Sequence, residues 1–158
     1  MESWMEYSRV AKHYNKYGTW QNGGTFDAIR DLKARQVDTE KIFFADYHIG
    51  YWLLHQYPLT KSTTHPSNVT RPYLFKYFGD RNSSSMQELK QIFEEIKPRV
   101  IVSRNKYLSF FEPGSEENIY FAEVIKEHFQ LAYDNPEKTC LYLVVDEILK
   151  ISELGNLT

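Results

Sequence analysis

Hydrophobic and polar residues recur along the chain with periods that predict helices separated by short strands. Residues 2–17 and 25–32 place apolar side chains three and four positions apart, so both segments are predicted to be amphipathic helices. A turn at residues 21–24 separates them. We expect Gly18 to end the first helix and Thr25 to cap the second.

Continuous apolar runs predict buried strands. Residues 42–45 (IFFA) and 99–103 (RVIVS) are flanked by predicted helices and are apolar at consecutive positions, as in parallel strands that are covered on both faces. Two further strands are predicted at residues 129–133 and 139–145. Because only a few residues connect them, these two strands are expected to form an antiparallel hairpin.

Capping residues mark the helices of the second half of the chain. Ser85 and Glu88 have the spacing of a capping box, and an apolar stripe after them predicts a helix over residues 85–97. Pro98 ends that helix. Ser115 is expected to cap a later helix that leads into the hairpin.

This alternation of strands and helices indicates the α/β class. The predicted fold is a three-layer Rossmann-like sandwich, with a mainly parallel sheet and an antiparallel C-terminal edge hairpin. At 158 residues the chain has the length of one domain, predicted over residues 1–145, with a tail at 146–158.

Composition excludes several classes of function. A net charge of −2 with scattered Lys and Arg gives no footprint for nucleic acid, so none is expected as a partner. The longest apolar run, residues 140–145, is far shorter than the roughly 18 residues of a membrane span, so a soluble polypeptide is predicted. The aromatic content of 16% is high, which is typical of a Tyr-rich core or a surface that meets a partner.

Asp46 and His48 raise the possibility of metal-dependent chemistry. The sequence Asp46-x-His48-x-Gly50 resembles the opening motif of calcineurin-like metallophosphoesterases, where Asp and His hold a two-metal site. That family also needs Gly-Asp after a second strand and an Asn-His pair. The only Gly-Asp, at Gly79, follows a predicted helix, and no Asn-His is present. A free-standing phosphoesterase that uses Asp46 and His48 is therefore kept only as an alternative.

Other kinds of site find no support in the sequence. His48, His55 and His65 are too widely spaced for obvious joint ligation of one ion, so ordinary surface histidines are the favoured interpretation. No Gly-x-Ser-x-Gly elbow is present, and the glycine pair at residues 23–24 follows no strand. Neither a metal nor a cofactor nor a catalytic residue is predicted.

Topology still predicts where a pocket would lie. Ligands of open α/β sheets collect at the carboxyl ends of strands, which selects residues after the first two core strands as substrate-binding candidates. Each also has a routine interpretation, with Asp46 as a helix cap, Tyr51 in the core and Arg104 as a solvated charge. The candidate residues are Asp46, Tyr47, His48, Tyr51, Arg104 and Asn105.

The order of features over most of the chain resembles a known family. A helix (SRVAKHYNKY) precedes a strand and polar turn (KIFFADYHIGYWLLHQYPLTKSTTHPSNV), then come EEIKPRVIVSRN and the closing strands EHFQLAYDN and CLYLVV. This resembles the soluble C-terminal domain of bacterial GT-C-type glycosyltransferases, which are similar to dolichyl-phosphate-mannose protein mannosyltransferases. The matching positions include Tyr51, Pro58 to Lys61 and Lys97-Pro98.

The resemblance implies a non-catalytic extracytoplasmic domain of a larger membrane glycosyltransferase. In such enzymes the catalytic carboxylate lies between transmembrane helices, so this chain would position an acceptor or support the membrane part on the periplasmic face. Its implied partners are the transmembrane portion of the same protein and a carbohydrate or lipid-linked sugar. A small interaction module without chemistry is the remaining alternative.

Overall fold

The computed structural model describes residues 2–20, 23–60, 66–75, 77, 84–135 and 139–144. Helices and strands alternate through much of this part of the chain, which confirms the mixed α/β class. Their bounds are α1 (Glu2–Tyr17), α2 (Gly24–Ala34), β1 (Ile42–Phe44), α3 (Ile49–Leu53), a 3-10 turn (Pro66–Thr70), α4 (Pro72–Phe75), α5 (Ser85–Lys90), a π-helix (Gln91–Ile96), β2 (Val100–Ser103), α6 (Glu116–His128), β3 (Phe129–Asn135) and β4 (Thr139–Val144).

The described strands form one sheet in the order β1-β2-β4-β3. β1 runs parallel to β2, with Phe43 opposite Ile101, whereas β4 runs antiparallel to both β2 and β3. The predicted antiparallel hairpin at the C-terminal edge is confirmed. The prediction of a mainly parallel sheet is wrong, because β4 lies between β2 and β3 and makes two of the three described pairings antiparallel.

Apolar side chains pack on both faces of the parallel pair. Since neighbouring strand residues point to opposite faces, Ile42, Phe44, Val100 and Val102 join one cluster with α2 and Tyr51 of α3. Phe43, Ala45 and Ile101 join a second cluster with α5, the π-helix and α6. The seven residues of β1 and β2 are all buried, which explains why the sequence shows continuous apolar runs here.

The helix ends confirm some sequence expectations and correct others. Gly18 ends α1 in the left-handed conformation (φ 69°), and its N–H donates to the carbonyl of Tyr14 at 2.7 Å. Ser115 caps α6 as predicted. Thr25 does not cap α2, because the helix already begins at Gly24 and the capping position is Gly23. Thr25 is instead buried inside the first turn.

The predicted capping box at Ser85 is displaced by one residue. Ser84 caps α5, and its hydroxyl accepts a hydrogen bond from the N–H of Gln87 at 3.3 Å. The hydroxyl of Ser85 donates to the carbonyl of Val69 at 2.9 Å. Ser85 therefore ties α5 to the preceding 3-10 turn, a contact that competes with capping.

Two helices end in Schellman motifs without glycine. At the end of α3 the N–H of Gln56 donates to the carbonyl of Tyr51 at 2.9 Å, and the N–H of His55 donates to that of Trp52 at 3.1 Å. His55 therefore has a left-handed backbone with φ 54°, and Gln36 has φ 56° at the corresponding position after α2. Both positions carry the strain of a side chain in a conformation that suits glycine.

No helix in the described ranges has the length and apolar character that crossing a bilayer requires. The predicted tail at 146–158 and the predicted helix end at Gly79 lie outside the described residues. A single domain over residues 1–145 stays a prediction.

We expect Gly50→Ala to lower the free energy of unfolding by about 1 to 3 kcal/mol, as overpacking does in a close-packed core. A Cβ at residue 50 would lie under 3.0 Å from three ring atoms of Phe44, which is fully buried and would have to move within the core. Urea denaturation measures the effect, with the exposed Ile49→Ala of the same helix as control. Equal stability of Gly50→Ala and the wild type would show that the ring of Phe44 does not pack against residue 50.

We expect His55→Gly to raise the free energy of unfolding by about 1 kcal/mol, because glycine removes the left-handed strain. His55→Ala is the matched control, since it removes the imidazole and keeps the strain. Thermal and urea unfolding should show a gain for glycine alone. A similar gain for both variants would assign the effect to the imidazole and contradict the backbone explanation.

Candidate functional site

The carboxyl ends of β1 and β2 bring Asp46 and Arg104 together, as the sequence predicted. Both strands run in the same direction, and the N–H of Ala45 donates to the carbonyl of Val102 at 2.8 Å, so the following residues leave the sheet side by side. One carboxylate oxygen of Asp46 accepts a hydrogen bond from the backbone N–H of Arg104 at 2.7 Å. The contact uses the backbone of Arg104, and its side chain is exposed.

Asp46 binds a second group that the sequence did not indicate. The hydroxyl of Ser109 donates a hydrogen bond to the other carboxylate oxygen. Asp46 thus holds the loop after β2 at two points, through Arg104 and Ser109. Such hydrogen bonds to an ionised acceptor are stronger than neutral ones, so the carboxylate acts as a clamp between the two strand-end loops.

Tyr51 packs against the outer side of β1, which faces away from β2. Its ring is buried, lies edge-on to Phe44 with centroids 5.1 Å apart, and its hydroxyl oxygen accepts the N–H of Phe44 at 3.1 Å. Burial raises the pKa of Tyr51 to about 12, although hydrogen bonds from the backbone of Phe44 and Leu59 act in the opposite direction. The phenol therefore keeps its proton at neutral pH, and it satisfies a backbone donor of β1 that no other strand of the described sheet reaches.

His48 and Tyr47 lie between Asp46 and α3. The imidazole of His48 packs edge-on against the ring of Tyr51, with centroids 5.4 Å apart. Tyr47 is half-buried against the cluster formed with α2, and its carbonyl accepts the N–H of Gly50 at 2.9 Å. Both side chains thus make contacts within the fold.

Asn118 organises the remainder of the loop after β2. Its side-chain oxygen accepts the N–H of Leu108 at 2.8 Å, and its amide donates to the carbonyls of Leu108 and Glu112 at 3.3 and 3.0 Å. A polar residue on the apolar face of α6, three positions after its cap, was the available signal in the sequence. Asn105 belongs to the same loop, and its carbonyl accepts a hydrogen bond from the hydroxyl of Ser103.

The strand-end geometry gives no ligand set for a metal. Asp46 has both oxygens engaged by Arg104 and Ser109, and within the described residues no group of three or more His, Cys, Asp or Glu side chains could hold an ion. His55 is exposed beyond α3, and His65 lies outside the described residues. The contacts of Asp46 account for its position without metallophosphoesterase chemistry.

A cleft of about 870 Å³ lies at the opposite end of the strands, where β2 and β3 begin. It is bounded by the π-helix, by the residues that lead into β2 and by the end of α6. None of the six strand-end candidates lines it. The cleft follows from the packing of α6 beside the π-helix, which no local sequence pattern indicated.

Comparison of the chain with protein-family models, with curated proteins and with solved structures found no match.

We expect Asp46→Asn to lower the free energy of unfolding by about 1 to 2 kcal/mol, because an amide replaces an ionised acceptor of two hydrogen bonds. Ser109→Ala should couple to it in a double-mutant cycle. Arg104→Ala is the control, since it keeps the backbone N–H and should change stability by less than about 0.5 kcal/mol. A rise in melting temperature with Mn²⁺ that Asp46→Asn abolishes would instead support the phosphoesterase alternative.

Proposed function

We propose that this chain is a non-catalytic α/β domain of a membrane glycosyltransferase of the GT-C type. In this proposal it lies on the extracytoplasmic face and contacts the transmembrane portion of the same protein. The observation that carries the proposal is an exposed aromatic surface on α3 and the loop after it, within the segment on which the family resemblance rests.

The exposed surface consists of Ile49, Trp52 and Tyr57, and we name it the α3 surface. Ile49 and Trp52 are three residues apart and so share a face of α3. Trp52 is 72% exposed and Tyr57 91% exposed, although both side chains are large and largely apolar. Ile49 and Trp52 place two exposed apolar side chains on one helix face, and such neighbouring groups are typical of surfaces that meet another protein or a membrane.

The residue types favour a partner at a membrane interface. Among the described residues, eight of the eleven exposed large apolar side chains are Tyr or Trp, and the other three are Ile or Leu. Tyr and Trp combine an apolar ring with a polar group, which suits them to the boundary between apolar and aqueous surroundings. This preference favours the membrane portion of the same protein as the partner.

The absence of a catalytic role is supported by the strand-end contacts. Asp46 holds a loop through Arg104 and Ser109, and the phenol of Tyr51 is buried against β1. A catalytic acid or base needs a group that can reach substrate, whereas these two side chains are engaged in maintaining the fold.

We also propose the finer architecture that the sequence predicts, a three-layer Rossmann-like sandwich. Two apolar clusters on opposite faces of the β1–β2 pair support it, with α2 and α3 in one and α5, the π-helix and α6 in the other. The antiparallel position of β4 is a departure from a doubly wound sheet.

The proposal predicts that an antibody raised against this chain detects a protein much longer than 158 residues in the membrane fraction of its source cells. In that protein, a cysteine introduced as Trp52→Cys should react with a maleimide several-fold more slowly than in the isolated chain. The matched control is Glu123→Cys, at an exposed position of α6, which should react equally in both. Cys140→Ser removes the native thiol in each case.

Two outcomes would contradict the proposal in different ways. A free polypeptide of 158 residues in the aqueous fraction would exclude the glycosyltransferase family and leave the interaction module. A membrane protein in which Trp52→Cys and Glu123→Cys react equally fast would retain the family and exclude the α3 surface as the contact.

A further inference from the structure

The cleft at the amino end of β2 has the size of a small-molecule site. Its volume of about 870 Å³ lies within the roughly 300 to 1,000 Å³ that such sites occupy. Its lining comes from segments far apart in the sequence, including Phe93 and Glu94 of the π-helix and Tyr120 and Val124 of α6. These four residues lie on two helical segments, the π-helix and α6.

Two consecutive segments of the backbone beside the cleft have uncommon conformations. Residues Gln91–Ile96 form a π-helix, in which the N–H of Lys97 donates to the carbonyl of Ile92 at 2.9 Å. Lys97 itself is left-handed, with φ 55°. π-helical turns and left-handed residues other than glycine cost stability and occur frequently at functional sites. Here both border the same cleft.

The floor of the cleft is apolar and aromatic. Phe93 is buried, and its ring centroid lies 6.3 Å from that of Tyr120. Tyr120 and Phe129 are half-buried, so part of each ring faces the open space. Val124 completes this floor, which offers ring faces to an apolar surface of a ligand.

The rim of the cleft carries hydrogen-bond donors and acceptors in balance. Glu94 and Glu127 supply carboxylates, whereas Lys97 and Arg99 supply cationic donors, and the imidazole of His128 lies beside Glu127. The hydroxyl of Tyr120 donates to Glu94 at 3.0 Å. Burial, with the hydrogen bond and charge of Glu94, raises the pKa of Tyr120, so this phenol keeps its proton.

This balance decides between classes of ligand. An anion would meet the carboxylates of Glu94 and Glu127, and a cation would meet Lys97 and the guanidinium of Arg99. Arg99 lies 3.2 Å from Asp38 and Glu127 lies 3.8 Å from His128, so one cationic and one anionic group of the rim each already have a neighbour of the opposite kind. A neutral molecule with an apolar face and several hydroxyl groups matches an aromatic floor surrounded by both donors and acceptors.

We propose that this cleft binds a neutral saccharide, with one sugar ring against Tyr120 and Phe129 and its hydroxyl groups bonded to Glu94, Lys97 and Glu127. The proposal goes beyond the domain function above and concerns a different part of the molecule. Binding can be measured on the chain alone, so its outcome is independent of any membrane partner.

The test is a titration of the ¹⁵N-labelled 158-residue chain, followed by amide chemical shifts. The probes are the methyl α-glycosides of glucose, mannose and N-acetylglucosamine, with benzoate and benzyltrimethylammonium as charged ring compounds of similar size. We expect at least one glycoside to shift the amides of residues 93–99 and 120–129 along a saturating curve. The charged probes should leave these amides unshifted.

Variants assign the binding to the cleft. Tyr120→Ala should weaken it about tenfold, because the ring face is lost, and Tyr120→Phe should weaken it much less. Tyr107→Ala is the matched control, since Tyr107 is exposed and does not line the cleft. If Tyr120→Ala does not fold, the exposed rim variants Lys97→Ala and Glu127→Ala should each weaken binding several-fold.

Three results would overturn the proposal. The first is the lack of a saturable shift with every glycoside. The second is tighter binding of benzoate or benzyltrimethylammonium to residues 93–99 and 120–129. The third is glycoside binding that Tyr107→Ala weakens as much as the cleft variants do.

Discussion

The parallel pairing of β1 with β2 is the constraint from which the rest of the described architecture follows. Every residue of the two strands is buried, and successive side chains point to opposite faces, so apolar cover is needed on both sides. α2 and α3 provide it around Phe44, and α5, the π-helix and α6 provide it around Phe43. Gly50 is part of the same constraint, because α3 can approach β1 only where no side chain meets the ring of Phe44.

The two ends of this strand pair have different roles. At the carboxyl ends of the strands, Asp46 and Asn118 use their polar atoms to hold the loop between β2 and α6. Tyr51 accepts the hydrogen bond of the Phe44 N–H on the outer side of β1. At the amino ends, polar side chains surround the open cleft beside the π-helix. The polar groups at the carboxyl ends hold loops, whereas those around Tyr120 line an open cleft. We therefore infer a structural role for the first end and a binding role for the second.

Local patterns predicted the local features of this chain. Continuous apolar runs identified β1 and β2, and Ser115 was recognised as a cap from its position before an apolar stripe. Ser84 and Ser85 show the limit of local patterns, because each is followed three residues later by Gln or Glu and either could be the cap. The hydroxyl of Ser85 bonds to the carbonyl of Val69, sixteen residues away, which leaves Ser84 as the cap. The cleft depends on a contact between Glu94 and Tyr120, which are 26 residues apart in the sequence. The π-helix differs from an α-helix only in that each N–H bonds to the carbonyl five residues back instead of four. Neither leaves a periodic signal.

The role of Asp46 as a clamp is tested most directly by amide hydrogen exchange at Arg104 and Leu108. In the wild type both amides should exchange slowly, because Asp46 accepts the first hydrogen bond and Asn118 the second. In Asp46→Ala the Arg104 amide should exchange much faster, while the Leu108 amide stays protected. Rapid exchange of the Arg104 amide in the wild type, or the same rate in both proteins, would contradict a structural role for Asp46.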